Sequence, residues 1–316
     1  MQPVCVRENG GSPHYRVDAV YIPDKDGVKN PEANLKSTDL LKQCSSSALN
    51  LALAWRLSGE PRYAECALEW IHTWCINQNT RMFPTGGVED AMMPGAQYGG
   101  DISLFSVLPG LFLAGHILDA YEGWDLRAHA ATRDWVRNMV EPQRHVMFFA
   151  GSEMYNNWED ARLEYLATAG LMLNDLDLLN EVFDRWTMIV PLKMTEEGEL
   201  TRETMRSRSM NYTMKSLQHA LKVAEIARRC GRDLFELNVN GRSMRKAVDY
   251  AAKYLLNIEK WPFEQITPLE KSIASRGCFE IAYSQWKEPR FLEVIEQWGG
   301  RPVIEECATL LYADPR

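Results

Sequence analysis

The sequence predicts an all-α protein built of antiparallel helical hairpins, and three observations carry that prediction. Apolar residues recur at helical spacing from about Thr38 to the end of the chain. Roughly eleven such segments follow one another through mainly short connections, the pattern of helices that fold back as hairpins. No stretch alternates as a strand except "YRVDAVYIP" at 15–23. Hairpins in series curve into a solenoid or close into a toroid, and the lack of a fixed repeat period weighs against a regular solenoid. The 316 residues read as one domain, 1–316, with an irregular N-terminal segment at 1–37.

The segments run in order. "STDLLKQCSSSALNLALAWRLSG" (37–59) places Leu41, Ala48, Leu51, Leu53 and Trp55 on a helical pattern that Gly59 stops. Helical patterns follow at 61–77, 101–123, 126–142, 156–175, 176–194, 207–231, 241–257 and 267–286. Two shorter ones, near Pro289–Trp298 and Pro302–Tyr312, close the chain. One segment breaks the rule of short connections: "NTRMFPTGGVEDAMMPGAQYGGD", 79–101, rich in glycine and proline. A long loop in a compact helical protein reads as a lid or equally as a plain surface excursion; as a lid, Tyr98, Gln97 and Arg81 are its candidate substrate contacts.

Composition narrows the function. A net charge of −8 argues against nucleic acid or an anionic membrane surface as partner, and no apolar run approaches a membrane span. Seven cysteines without a CxxC pair read as small apolar residues and suggest a reducing, cytoplasmic compartment. The opening "MQPVCVRENGGSPHYR" has no hydrophobic signal core. No histidine pair has zinc spacing, and neither a P-loop nor a GxGxxG fingerprint occurs, so no metal and no cofactor are expected.

Chemistry concentrates in two places. "SEMYNNWEDAR" (152–162) opens a helix with two asparagines. Asn156 with Glu159, or Asn157 with Asp160, fits a capping box, and only one asparagine is needed as the cap. The other is a neutral amide at a helix start, where the dipole favours an anion such as a carboxylate. The second place is "LTRETMRSRSMNYTMK" (200–215), with Arg202, Arg206, Arg208 and Lys215 and a single acid, Glu203. There Met210, Met214, Leu217, Leu221 and Ala224 form a core stripe, and Tyr212 lies opposite it. A tyrosine among arginines can have its phenolate stabilised and act as base and then acid; the other reading is an amphipathic surface tyrosine. His219 lies seven residues beyond Tyr212, about 10 Å along the axis, and reads as structural.

Together these two elements resemble the alginate lyase domain typified by polysaccharide lyase family 5. Members carry Asn-Asn-His at one helix start, then an acid, arginines and "Arg-Ala-Leu-His-Tyr-His". The counterparts here are "YNNWEDARLEYLATAGLMLND" and "GELTRETMRSRSMNYTMKSLQHALKVAEIA". The resemblance spans roughly Val20 to Asn257 and implies an incomplete (α/α) toroid that eliminates across a 4-linked uronic acid. It also suggests export to the periplasm or beyond, against the cytoplasmic hint of the cysteines, which leaves the compartment open. It assigns the carboxylate-neutralising amide to Asn157, the catalytic tyrosine to Tyr212 and the arginine to Arg206, one residue out of register. Arg202 and Arg208 are further candidates, and Asn156 is a neighbouring contact. The family's histidine is Trp158, a candidate sugar-stacking platform.

In mannuronate and glucuronate the C5 hydrogen and the C4 oxygen lie on one side, so one tyrosine serves both proton transfers. Loss of the histidine favours those polymers, with polymannuronate first, glucuronan second, and an acidic polysaccharide or oligosaccharide as partner. Two other readings compete. A toroidal glycoside hydrolase would use carboxyls among Glu153, Glu159 and Asp160, although acids at a helix start are more simply explained by the dipole. A degenerate member would bind an acidic glycan without cleaving it.

Overall fold

The computed structural model describes residues 36–82, 102–149, 155–269 and 274–313. The strand-like stretch at 15–23, Gln97, Tyr98 and Glu153 lie outside the described residues. Within them are twelve α-helices, and β pairing is confined to three isolated bridges. The described residues fall into two compact units, one of 36–82, 102–149 and 165–179, the other of 155–164, 180–269 and 274–313.

The first unit holds α1 (Lys36–Ser58), α2 (Pro61–Ile71), α3 (Ile102–Leu118) and α4 (Leu126–Phe149). Gly59 turns α1 into α2 at φ +73°, a conformation glycine adopts without strain. α1 and α3 approach closely because both are small at the contact. Ser45 Oγ donates to the Val107 carbonyl at 2.5 Å, and a Cβ on Gly110 would stand 2.7 Å from that Oγ. α2 passes into a π-helical turn, His72–Ile76, and the chain beyond it is pinned when Trp135 Nε1 of α4 donates to the Met82 carbonyl at 2.7 Å. α4 continues past Pro142 to Phe149, beyond the 126–142 segment read from sequence.

α5 (Asn157–Leu173) and α6 (Leu176–Ile189) each contribute to both units. In the first unit Tyr165 donates its hydroxyl to the Met139 carbonyl at 2.9 Å, and Arg133 satisfies the carbonyls of Met172 and Leu173 at the end of α5.

The second unit adds α7 (Thr201–Thr204), α8 (Ser209–Arg229), α9 (Met244–Leu255), α10 (Cys278–Trp286), α11 (Pro289–Gln297) and α12 (Ala308–Tyr312). Trp186 of α6, fully buried, donates its indole N–H to the Ala220 carbonyl of α8 at 3.0 Å. Gly198 closes a turn against α9: at φ +99°, a Cβ there would meet the Lys246 carbonyl oxygen at 2.3 Å.

Two sequence expectations are corrected in this unit. α10 begins at Cys278 rather than near 267: residues 267–269 are non-helical, and Ala274–Gly277 forms a 3₁₀ turn ahead of it. The last helix spans only Ala308–Tyr312, since Glu306 and Cys307 hold φ values of 52° and 53° that interrupt a longer one. Cys44, Cys75 and Cys278 are buried as small apolar residues, whereas Cys66 and Cys230 are exposed.

Candidate active site

The question of two adjacent asparagines resolves at the start of α5. Asn156 is the cap: its Oδ1 accepts the Trp158 N–H at 3.1 Å, and its carbonyl accepts the first helical bond, from Asp160, at 3.1 Å. Asn157 is the first helical residue, with an N–H that has no partner inside the helix. Glu203, on the short helix α7, supplies the partner. Its Oε1 accepts the Asn157 backbone N–H and its Oε2 accepts the Asn157 Nδ2–H, both at 2.6 Å. Asn157 is 2% exposed and Glu203 1%.

Glu159 does not complete a capping box. It is fully buried, with Arg162 at 2.7 Å and Arg185 at 2.9 Å. Asp160 is likewise buried, with Lys193 Nζ at 2.5 Å and the Ser216 hydroxyl at 2.5 Å. The dipole therefore is not what these two acids chiefly serve. Both are held by desolvated cations, which also takes them out of the pair of carboxyls a hydrolase requires.

Those same contacts set α5 beside α8. Asp160 meets Ser216, and Glu164 meets His219 at 2.5 Å and Lys222 at 3.0 Å. The residue numbers rise together, so the two helices run parallel. One turn towards both N-termini, the same register brings the Asn157 turn level with the Tyr212 turn. His219 is thereby engaged with Glu164 of α5, away from the Tyr212 turn. Burial would raise the Glu164 carboxyl, but Lys222 and His219 outweigh it and hold the group below its ordinary value.

Tyr212 is half-buried at the start of α8. The Arg206 guanidinium lies 4.2 Å from its ring centroid and Lys215 Nζ 6.0 Å, so two cations flank the ring. The first turn of α8 has no side-chain cap of its own and is held from 261–267 instead. Ser209 bonds the Glu264 carbonyl through N–H and Oγ, at 3.2 and 2.6 Å. Gln265 Oε1 accepts the Met210 N–H at 3.1 Å, and Trp261 Nε1 donates to Ser209 Oγ at 2.7 Å.

The remaining predicted residues separate. Arg202 is exposed, donating to the Tyr155 hydroxyl at 2.7 Å and stacking 4.7 Å over its ring. Arg208 joins the Gln265 bridge through its backbone, and Trp158 is half-buried. Arg81 is exposed and belongs to the other unit. Sequence reading missed Glu203, Gln265 and Tyr155. For Glu203 there was a signal: it is the lone acid in the 200–215 basic stretch.

Burial pushes the Glu203 carboxyl up to about 7; the bonds from Asn157 oppose this, Asp160 adds to it, and Lys193 lowers it. The site thus combines an amide held by a carboxyl of raised pKa with a tyrosine whose ring lies near two cations.

Helical hairpins with such a site place the protein in the (α/α)-toroid class, and solved structures agree. An alginate lyase from Bacteroides ovatus superposes with a TM-score of 0.74 at 20% identity, covering 92% of this chain and 78% of that one. Alginate lyase A1-III from Sphingomonas species A1 does so at 0.71 and 18% identity, covering 100% and 88%. A tetrasaccharide complex of A1-III gives 0.72 at 18%, covering 98% and 85%. Among curated protein sequences none matches the chain. The family model described as alginate lyase matches residues 7–261, and the chain belongs to that family of polysaccharide lyases.

Proposed function

We propose that this lyase depolymerises a 4-linked β-uronan by syn β-elimination without a metal, polymannuronate being its first substrate and glucuronan its second. The observation that carries the reading is the parallel register of the Asn157 and Tyr212 turns, with Arg206 stacked over the tyrosine. The tetrasaccharide bound to the structurally similar A1-III lyase supports an oligosaccharide ligand.

The C5 proton sits α to a carboxylate and is very weakly acidic until that charge is quieted. Asn157 donates an amide hydrogen to the carboxylate as enolate character develops. Tyr212 reacts as the phenolate, held by Arg206 and Lys215. It takes the C5 proton, and the electron pair of the C5–H bond becomes the C4–C5 double bond. The C4–O bond breaks, and the departing oxygen takes the proton from the Tyr212 hydroxyl, which restores the phenolate. Arg208, Arg202 and Trp158 contact sugars on either side of the scissile bond. Asn156 supports the site by capping α5.

The test offers the protein polymannuronate, polyguluronate, glucuronan and hyaluronan, recording ultraviolet absorbance of unsaturated ends beside new reducing ends. Both signals together on polymannuronate are expected. Reducing ends without absorbance would indicate hydrolysis, and binding with neither signal would indicate a non-catalytic glycan binder.

A further inference from the structure

Six acids are buried among the described residues: Glu159, Asp160, Glu164, Glu203, Glu225 and Glu280. Five have a basic side chain within 3.0 Å. Glu203 is the exception: among the described residues its carboxyl accepts from the backbone and side-chain amides of Asn157 alone. A carboxyl taken out of water without a basic side chain in hydrogen-bond contact is costly.

We propose that Glu203 is a positioning residue that sets which way the Asn157 carboxamide faces, and that uronate binding is thereby coupled to uptake of one proton by Glu203. The inference rests on the proposed elimination only for the identity of the ligand. Its geometry follows from the hydrogen-bond inventory. An ionised carboxylate only accepts, so it draws the Asn157 Nδ2 towards Oε2 and leaves Oδ1 facing away. A sugar carboxylate also only accepts, and an outward Oδ1 repels it. A neutral Glu203 keeps Oε1 on the Asn157 N–H and donates from Oε2 to Oδ1. The amide then turns over within the same heavy-atom outline and presents both Nδ2 hydrogens outward.

Charge favours the same outcome. A second anion held by Asn157 disfavours ionisation of Glu203, so binding draws a proton in. The groups that face Glu203 are Asn157 and Asp160 from α5 and Lys193 from the turn after α6. Arg202 and Arg206, on its own stretch, are turned to Tyr155 and Tyr212. The raised value of about 7 agrees with a group that changes state in the working range.

Glu203→Gln fixes the neutral arrangement, with a carbonyl for the Asn157 N–H and an NH2 for Oδ1. The KM of the wild-type protein for mannuronate oligomers should rise about tenfold per pH unit above 7, the slope of one linked proton. In Glu203→Gln that slope should vanish, whatever the absolute KM. A slope preserved in the variant would overturn the proposal.

A second readout needs no activity and no variant of Glu203. In protein labelled with 15N-asparagine, the Asn157 side-chain NH2 resonance, assigned by its loss in Asn157→Ala, should titrate near pH 7. A resonance unmoved from pH 5.5 to 8.5 would overturn the coupling even if the variant fails to fold. If no uronan is cleaved or bound while the resonance titrates, the elimination reading fails and the Glu203–Asn157 coupling stands.

Discussion

Replacing Glu203 by glutamine should change how stability depends on pH, by an amount the structure sets. The carboxyl has an ordinary value of 4.5 and is held at about 7 in the folded protein, chiefly by burial. Between those values the folded chain keeps a proton that the unfolded chain has released, so stability falls as pH rises through this window. The loss is complete above the folded value. A gap of 2.5 (7 − 4.5), at about 1.36 kcal/mol per pH unit, amounts to about 3 kcal/mol. Glutamine does not titrate and keeps an acceptor for the Asn157 N–H, so the variant escapes this loss. Urea unfolding of both proteins at pH 4.5, 6 and 8 isolates the effect, because groups remote from Glu203 cancel in the difference. The variant should gain about 3 kcal/mol on the wild type between the first and last pH. A difference constant within about 0.5 kcal/mol would refute the reasoning.

Two further outcomes test the frame around the site. Lys193→Met strands Asp160 in the interior beside Ser216 and should cost about 3–5 kcal/mol of stability; a urea-measured loss below about 1 kcal/mol would contradict the clamp between α5 and α8. Trp158→His introduces the residue that the resemblance to polysaccharide lyase family 5 implies at this position. It should raise polyguluronate cleavage at least about a hundredfold by adding a second proton-transfer group, read by ultraviolet absorbance, and an unchanged rate would assign Trp158 another role.

Residue patterns that depend on near neighbours were legible in the sequence. α1, α5 and α8 follow from apolar spacing and begin within a residue or two of where periodicity sets them. That a single asparagine caps α5 was also foreseeable, since one helix start needs one cap. What escaped depends on distant partners. Glu159 and Asp160 look like dipole-serving acids until Arg185 and Lys193 arrive from 26 and 33 residues away. Glu203 reaches Asn157 across 46 residues, and nothing local distinguishes a buried carboxyl from a solvated one.

The central claim is that one phenol moves the proton at C5 and at the leaving oxygen. It is tested most directly by the initial rate of unsaturated-end formation from polymannuronate in Tyr212→Phe, with oligomer binding measured alongside. The account predicts a rate at least about a hundredfold below wild type with binding retained. A variant that eliminates at the wild-type rate would contradict it.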